Sequence, residues 1–294
     1  VTITNSGSIA TDGDESDGIS AWGQTVSVYN SGDIVTDDEY SNGVNIEGHT
    51  VYLNNSGSIR THGYESDAVR ADSEGDDTTT IVNTGLIAAY GEDSNAIAAS
   101  GPTVRITNTH LMEDEEIVQS GTIYAWEGRA ISVEEAGDVY VVNDTTIIGA
   151  ISIEADEYAS VVNSGTISAN EEGQTLVSIF VEEGDAVFVN NEDGSVTTTS
   201  DGADAVSVFA EEGFADLRNH GTITTGYIEE DVYHYGDGSI AAYAFGEEGA
   251  LALNTGTITT FGDEGAHALY AATNTDTAQA LNTGTITTSG DNSH

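Results

Sequence analysis

The sequence predicts an all-β, single-domain fold over residues 1–294: a right-handed parallel β-helix, or β-solenoid, of about eleven coils with three short strands each. Three observations carry this. A motif built on Asn-x-Gly-x-Ile returns along the whole chain, the apolar patches around it alternate with period two, and the chain holds one proline against 34 glycines. Proline deletes a ladder hydrogen bond, so its near absence fits a chain committed to sheet; glycine then supplies the turns.

The motif begins at Asn5-Ser-Gly-Ser-Ile9 and recurs from Asn30, Asn55, Asn83, Asn163, Asn219, Asn254 and Asn282. Weaker copies start at Gln119, Asn143 and Asn191. Most spacings fall between 20 and 28 residues. Each unit has an alternating patch before the Asn (Thr25-Val-Ser-Val-Tyr29), a second after the Gly (Ser8-Ile-Ala-Thr11) and a third after an acidic loop (Asp17-Gly-Ile-Ser-Ala21). Period two marks a strand with one buried face. Three such strands per unit describe one coil, and stacked coils bury a continuous core. By parity Val26, Val28 and Asn30 share a face, as do Val104, Ile106 and Asn108, so the Asn points inward at a corner. Asn5, Asn30, Asn55, Asn83, Asn108, Asn163, Asn219, Asn254 and Asn282 are therefore expected to stack as an amide ladder. Leu253 and Leu281 directly precede the last two, which predicts a register shift there.

Composition bounds the partners. With 51 acidic residues against five Arg, no Lys and a formal charge of −46, the chain repels nucleic acid and anionic membranes alike. Cations are its natural counterparts. The 38% of apolar residues is too many for an acidic disordered tail. There is no Cys, hence no disulfide framework and no Cys-based zinc site. No apolar run approaches a membrane span, and Val1 starts directly on a strand pattern, so an exported chain would carry its targeting segment outside this sequence.

The pairing of Asn-[Ser/Thr]-Gly-x-Ile with Gly13-Asp-Glu-Ser-Asp-Gly-Ile19, Gly63-Tyr-Glu-Ser-Asp-Ala-Val69 and Gly91-Glu-Asp-Ser-Asn-Ala-Ile97 resembles the repetitive β-helical passenger regions of Gram-negative autotransporters and related large surface adhesins. The resemblance covers essentially the whole chain. It implies a β-helix displayed at the cell surface or released outside the cell, associated with the outer membrane. The family's C-terminal membrane barrel has no counterpart in this sequence.

Carboxylates concentrate between strands. Asp12, Asp14, Asp17, Asp37 and Asp38 precede third strands, and Glu182, Glu183 and Asp185 precede an Asn strand. Stacked loops would bring such groups about 5 Å apart, where they repel unless neutralised. Ca²⁺, which takes six to eight oxygen ligands, is the expected cofactor. Asp12-x-Asp14-x-Ser16-Asp17-Gly18 alternates oxygen ligands without the remainder of an EF-hand loop.

No catalytic residue is assigned. Acids are everywhere, so paired carboxylates carry little information, and the seven His form no metal spacing. Thr222/Thr224, Thr257/Thr259 and Thr285/Thr287 flank a buried Ile with both hydroxyls outward, an arrangement that would suit ice, but the early coils break the row. Two insertions interrupt the repeat near 109–118 and 226–236, and Tyr227, Tyr233, His234 and Tyr235 make the second an expected contact loop. Neither end shows a capping unit, so the expectation is either a chain cut from a longer rod or end-to-end stacking with other copies. The function expected is an extracellular or cell-surface structural or adhesive solenoid, not an enzyme, whose partners are its own copies or a cell-surface or glycan receptor. The alternatives are a polysaccharide-acting β-helix enzyme and an ice-binding solenoid.

Overall fold

In a computed structural model the described residues are 1–75, 77–113, 116–169, 174–199, 202–229, 232–234, 239–261 and 267–289. They form two compact units, Val1–Gly149 and Ala150–His294. Each is a parallel β-solenoid in which the coil strands pair with their equivalents in the next coil, while two antiparallel hairpins stand apart from the stack. No helix occurs among the described residues.

In the first unit three inward columns build the core. Second strands stack Ile9, Ile34, Ile59, Ile87 and Ile123. First strands stack Val28, Leu53, Ile81, Ile106 and Val141. Third strands stack Ile19, Val44, Val69, Ile97 and Ile131. From the second coil on these side chains are essentially inaccessible, and each such burial is worth about 1.5–3 kcal/mol. The second unit repeats the plan with Ile167, Val196, Ile223, Ile258 and Ile286 on second strands. Its first strands stack Val161, Phe188, Leu217, Ala252 and Ala280.

The three short strands are not always separate. The third strand of one coil runs into the first strand of the next as Ile19–Asn30, Val44–Asn55 and Ile97–Asn108. Gly23 and Gly48 take the corner while parallel pairing continues through them.

The ladder Asn side chains are buried at the next corner. In the first unit each Nδ2 donates to Oδ1 of the Asn one coil on, from Asn5 through Asn30, Asn55, Asn83 and Asn108 to Asn143, at 2.8–2.9 Å. In the second unit the row is Asn163, Asn190, Asn219, Asn254 and Asn282, at 2.7–2.8 Å. Each amide also donates to the carbonyl two residues on or across the turn, as Asn83 does to Gly85 and Thr122. The glycine of the motif has a steric cause: a Cβ on Gly57 would collide with the carbonyl oxygen of Gly32 in the coil before.

Three sequence readings change. The corner beside Gly121 belongs to Asn108 and not to Gln119, because His110–Glu113 and Glu116–Ser120 pair as an inserted hairpin between Asn108 and its glycine. The corner before Gly194 belongs to Asn190 and not Asn191, with two extra residues in the turn. No register shift occurs at Leu253 or Leu281; Asn219, Asn254 and Asn282 pair directly, and the leucines stand on the outward side of the strand.

Replacing Asn83 by Leu strips partners from Asn55 and Asn108 in a site without water. Unmet buried polar groups cost about 1–3 kcal/mol each, so urea unfolding of Asn83→Leu should show a loss of about 2–4 kcal/mol. The outward Asn54→Leu should lose under about 0.5 kcal/mol. Equal losses would refute the ladder's role.

Candidate functional site

The acidic loops at 12–18, 37–43, 62–68 and 90–96 have equal length and stack one on one. A second ladder runs through them. The backbone N–H of Ser16, Ser41 and Ser66 each donates to Oγ of the next coil's serine, Ser41, Ser66 and Ser94, at 2.8–2.9 Å. Ser41 and Ser66 pass their hydroxyl protons back to carbonyls of Gly13 and Asp38. Thr36 and Thr61 close the loop from inside by donating to the carbonyls of Ser41 and Ser66. The residue before each serine, Glu15, Tyr40, Glu65 or Asp93, is held at φ of 48° to 56°, a conformation costing an L residue about 1–3 kcal/mol that only the surrounding bonds sustain. The signal was present in the chain: these serines recur at the spacings of Asn5, Asn30, Asn55 and Asn83.

A third row alternates acid and amide: Asp17, Asn42, Asp67, Asn95. Asp17 Oδ1 accepts from the Asn42 N–H and Oδ2 from Asn45 Nδ2 at 2.8 and 2.9 Å. Asn42 Oδ1 accepts from the Asp67 N–H at 3.0 Å, Asp67 Oδ1 from the Asn95 N–H at 2.8 Å, and Asn95 Oδ1 from the Arg129 N–H at 3.2 Å. Like charges are thereby kept two coils apart in this row. Burial pushes the Asp67 carboxyl above its ordinary range, against the pull of the Asn95 hydrogen bonds. Asp204 holds the same corner in the second unit, accepts from the Ile240 N–H at 2.6 Å and is raised by burial too.

The outward face of the first unit's third strands continues from this row. One column is Ser20, Asn45, Arg70, Ala98 and Ser132; the next begins Trp22, Glu47, Asp72 and Ser100. Trp22 is 80% exposed. Arg70 Nε pairs with Asp72 at 3.3 Å, and Arg129 pairs with Glu134 at 3.2 Å beside Ser132. Between these pairs lies a groove of about 410 Å³ lined by Asp67, Arg70, Asp72, Ser100, Ser132 and Glu134 among others. Ala98, Ser100 and Ser132 are the small outward side chains that line it.

Other outward features are regular. In the second unit five successive second strands pair Thr166/Ser168, Ser195/Thr197, Thr222/Thr224, Thr257/Thr259 and Thr285/Thr287. The hydroxyl array is thus two coils longer than the three Thr pairs read from sequence. Phe180, Phe209 and Phe245 stack on one another with ring centroids 5.3 and 4.8 Å apart. The hairpin of His110–Glu113 and Glu116–Ser120 carries exposed Met112, Ile117 and Val118. In the second insertion the backbone of Tyr227–Glu229 pairs antiparallel with Val232–His234; Tyr235 lies outside the described residues.

The expected metal ligands do not converge. Asp12, Asp14 and Asp37 are exposed, and Asp37 meets His62 Nδ1 at 2.9 Å. Asp38 lends its backbone carbonyl to Ser66, and Asp185 accepts from the Phe214 N–H at 2.9 Å. Glu182 and Glu183 are exposed beside it. Among the described residues no three His, Asp or Glu side chains form a group able to hold a metal ion.

Asp67→Asn tests the alternating row, since Asn already serves at two rungs. A carboxyl raised by folding contributes stability that is full below its unfolded pKa, about 3.9, and lost as pH rises through the higher folded value. The variant should therefore unfold at a higher temperature than the parent at pH 7, and the gap should close as pH falls to about 4. A gap independent of pH would contradict burial of this carboxyl.

Residues 178–294 match the family described as BigA third pectate lyase-like domain. No curated protein and no solved structure matches the chain. The matched stretch is similar to a β-helix-type domain of a bacterial surface protein, which agrees at that coarse level with the likeness carried by the repeat motifs.

Proposed function

We propose that this chain is a structural and adhesive β-solenoid displayed on, or shed from, the surface of a Gram-negative bacterium. The observation that supports this most is where the repeated residues go. The Asn, Gly and Ser of the motifs are taken up by bonds between coils, so the repeat specifies a scaffold and leaves the outward faces to vary. The family match over residues 178–294 supports the same reading. Catalysis is not part of it: the groove between Arg70 and Glu134 is floored by strand residues rather than walled by inserted loops. Proteinase K added to intact cells that express the full-length protein should remove an epitope in this chain while sparing a cytoplasmic marker. An epitope that survives until the cells are lysed would overturn surface display.

Cations enter this reading as counterions. The charge of −46 opposes compaction, and salt at 1 M shortens the Debye length to about 3 Å, less than the ~4.8 Å between stacked strands. The Ca²⁺ expected from the acidic loops then acts by screening and not by chelation. The thermal midpoint should rise steadily with NaCl, and CaCl₂ should add little beyond its ionic strength. A saturable rise at micromolar Ca²⁺, reversed by EGTA, would instead establish a specific site.

A further inference from the structure

We infer that the third-strand face of the first unit binds an uncharged oligosaccharide laid along the solenoid axis, in the groove between Arg70 and Glu134 and over the indole of Trp22. The inference rests on the adhesive reading and supplies its ligand class.

Three features of this face converge. Its first is the density of planar polar groups at one coil per step: Asp67, Asn95, the Arg70–Asp72 pair and Glu134, itself paired with Arg129, surround the groove. Carboxylates accept, guanidinium groups donate, and amides and hydroxyls do both, so neighbouring sugar hydroxyls, each a donor and an acceptor, find complementary partners. Arg70 engages Asp72 through Nε, and among the described residues its terminal nitrogens have no other recorded bond. Second, the shape suits a chain and not a point ligand. Ala98, Ser100 and Ser132 make a low strip between Arg70 and Asp72 in the coil before and Glu134 in the coil after, across two coil steps of about 10 Å.

Third, Trp22 stands in the same column as Asp72, with Glu47 between them. That puts an 80% exposed indole about 10 Å from the groove along the axis. An exposed Trp in a face that is otherwise hydrophilic offers a flat apolar surface with a polar edge, which fits the C–H face of a sugar ring. The charge balance selects against anionic ligands. An anionic polymer meets the field of a −46 chain. A polycation is the charged ligand this field would admit, since Asp67, Asp72, Glu134 and Glu135 line the groove against Arg70 alone, and the chitosan control tests it.

Binding is read by calorimetry and by indole fluorescence in a Trp126→Phe background, which leaves Trp22 as reporter. The probes are cellohexaose, maltohexaose, xylohexaose and mannohexaose, with hexagalacturonate and chitosan hexamer as charged controls. At least one neutral probe should bind with Kd below about 1 mM. Trp22→Ala and Arg70→Ala should each weaken it about tenfold or more, and Ser100→Tyr, which fills the floor, should abolish it. All three positions point outward, and unchanged thermal midpoints would show that the fold persists. The inference is overturned if no neutral probe binds, if only a charged control does, or if the variants bind like the parent. Such a failure, with the epitope still accessible on intact cells, would remove this ligand and leave the surface solenoid standing.

Discussion

The constraint on which the rest depends is the pairing of each corner asparagine with its equivalent one coil on. A parallel coil must bring the same position of successive repeats into contact. A buried amide there can give to one neighbour and take from the other without changing register. Asn83 does so between Asn55 and Asn108, and is itself fully buried. A slip of one residue would turn the amide outward and a strand residue such as Val82 inward, so the ladder fixes both face and phase. The following glycine is part of the same constraint, since its backbone lies against the carbonyl of the glycine below.

Fixed register explains how a chain this acidic stays folded. If like positions must stack, a carboxylate repeated in every coil would make a column of charge. At the corner that opens the third strand the sequence avoids this by alternation: Asp17 and Asp67 are separated by Asn42, and Asn95 follows. At the loop tip Glu15 and Glu65 are separated by Tyr40, whose ring meets Tyr64 edge-on at 6.0 Å, while Asp93 follows Glu65 directly. Carboxylates that remain, such as Asp12 and Asp14, project into solvent where screening is strongest. The same logic stacks aromatics on the outside, as with Phe180, Phe209 and Phe245.

Most of the scaffold was legible because its chemistry repeats. Period-two alternation gave the inward columns, and Asn-x-Gly gave the corner. Legibility failed where the period was interrupted. At Gln119 the apparent motif copy is the end of the inserted hairpin, and the corner is Asn108, which strand parity had already placed in the ladder. At Asn190 two inserted residues made Asn191 look better placed. The serine ladder was overlooked because a serine in an acidic loop reads as solvated, although Ser41, Ser66 and Ser94 are fully buried. The face with Trp22, Arg70 and Glu134 was illegible for a different reason: its residues share no motif, and only stacking across coils brings them together. The loop carboxylates suggested chelation because spacing within one loop says nothing of what the next coil places beside it.

The central claim is that the corner amides are buried and bonded from coil to coil, and side-chain hydrogen exchange observes those protons directly. In ¹⁵N-resolved spectra the Nδ2 protons of Asn55, Asn83 and Asn108 should exchange slower than those of the outward Asn54 and the exposed Asn274 by about a thousandfold or more, the protection expected of groups that open only with the core. Exchange of all five at similar, unprotected rates would contradict the ladder and the coil register built on it.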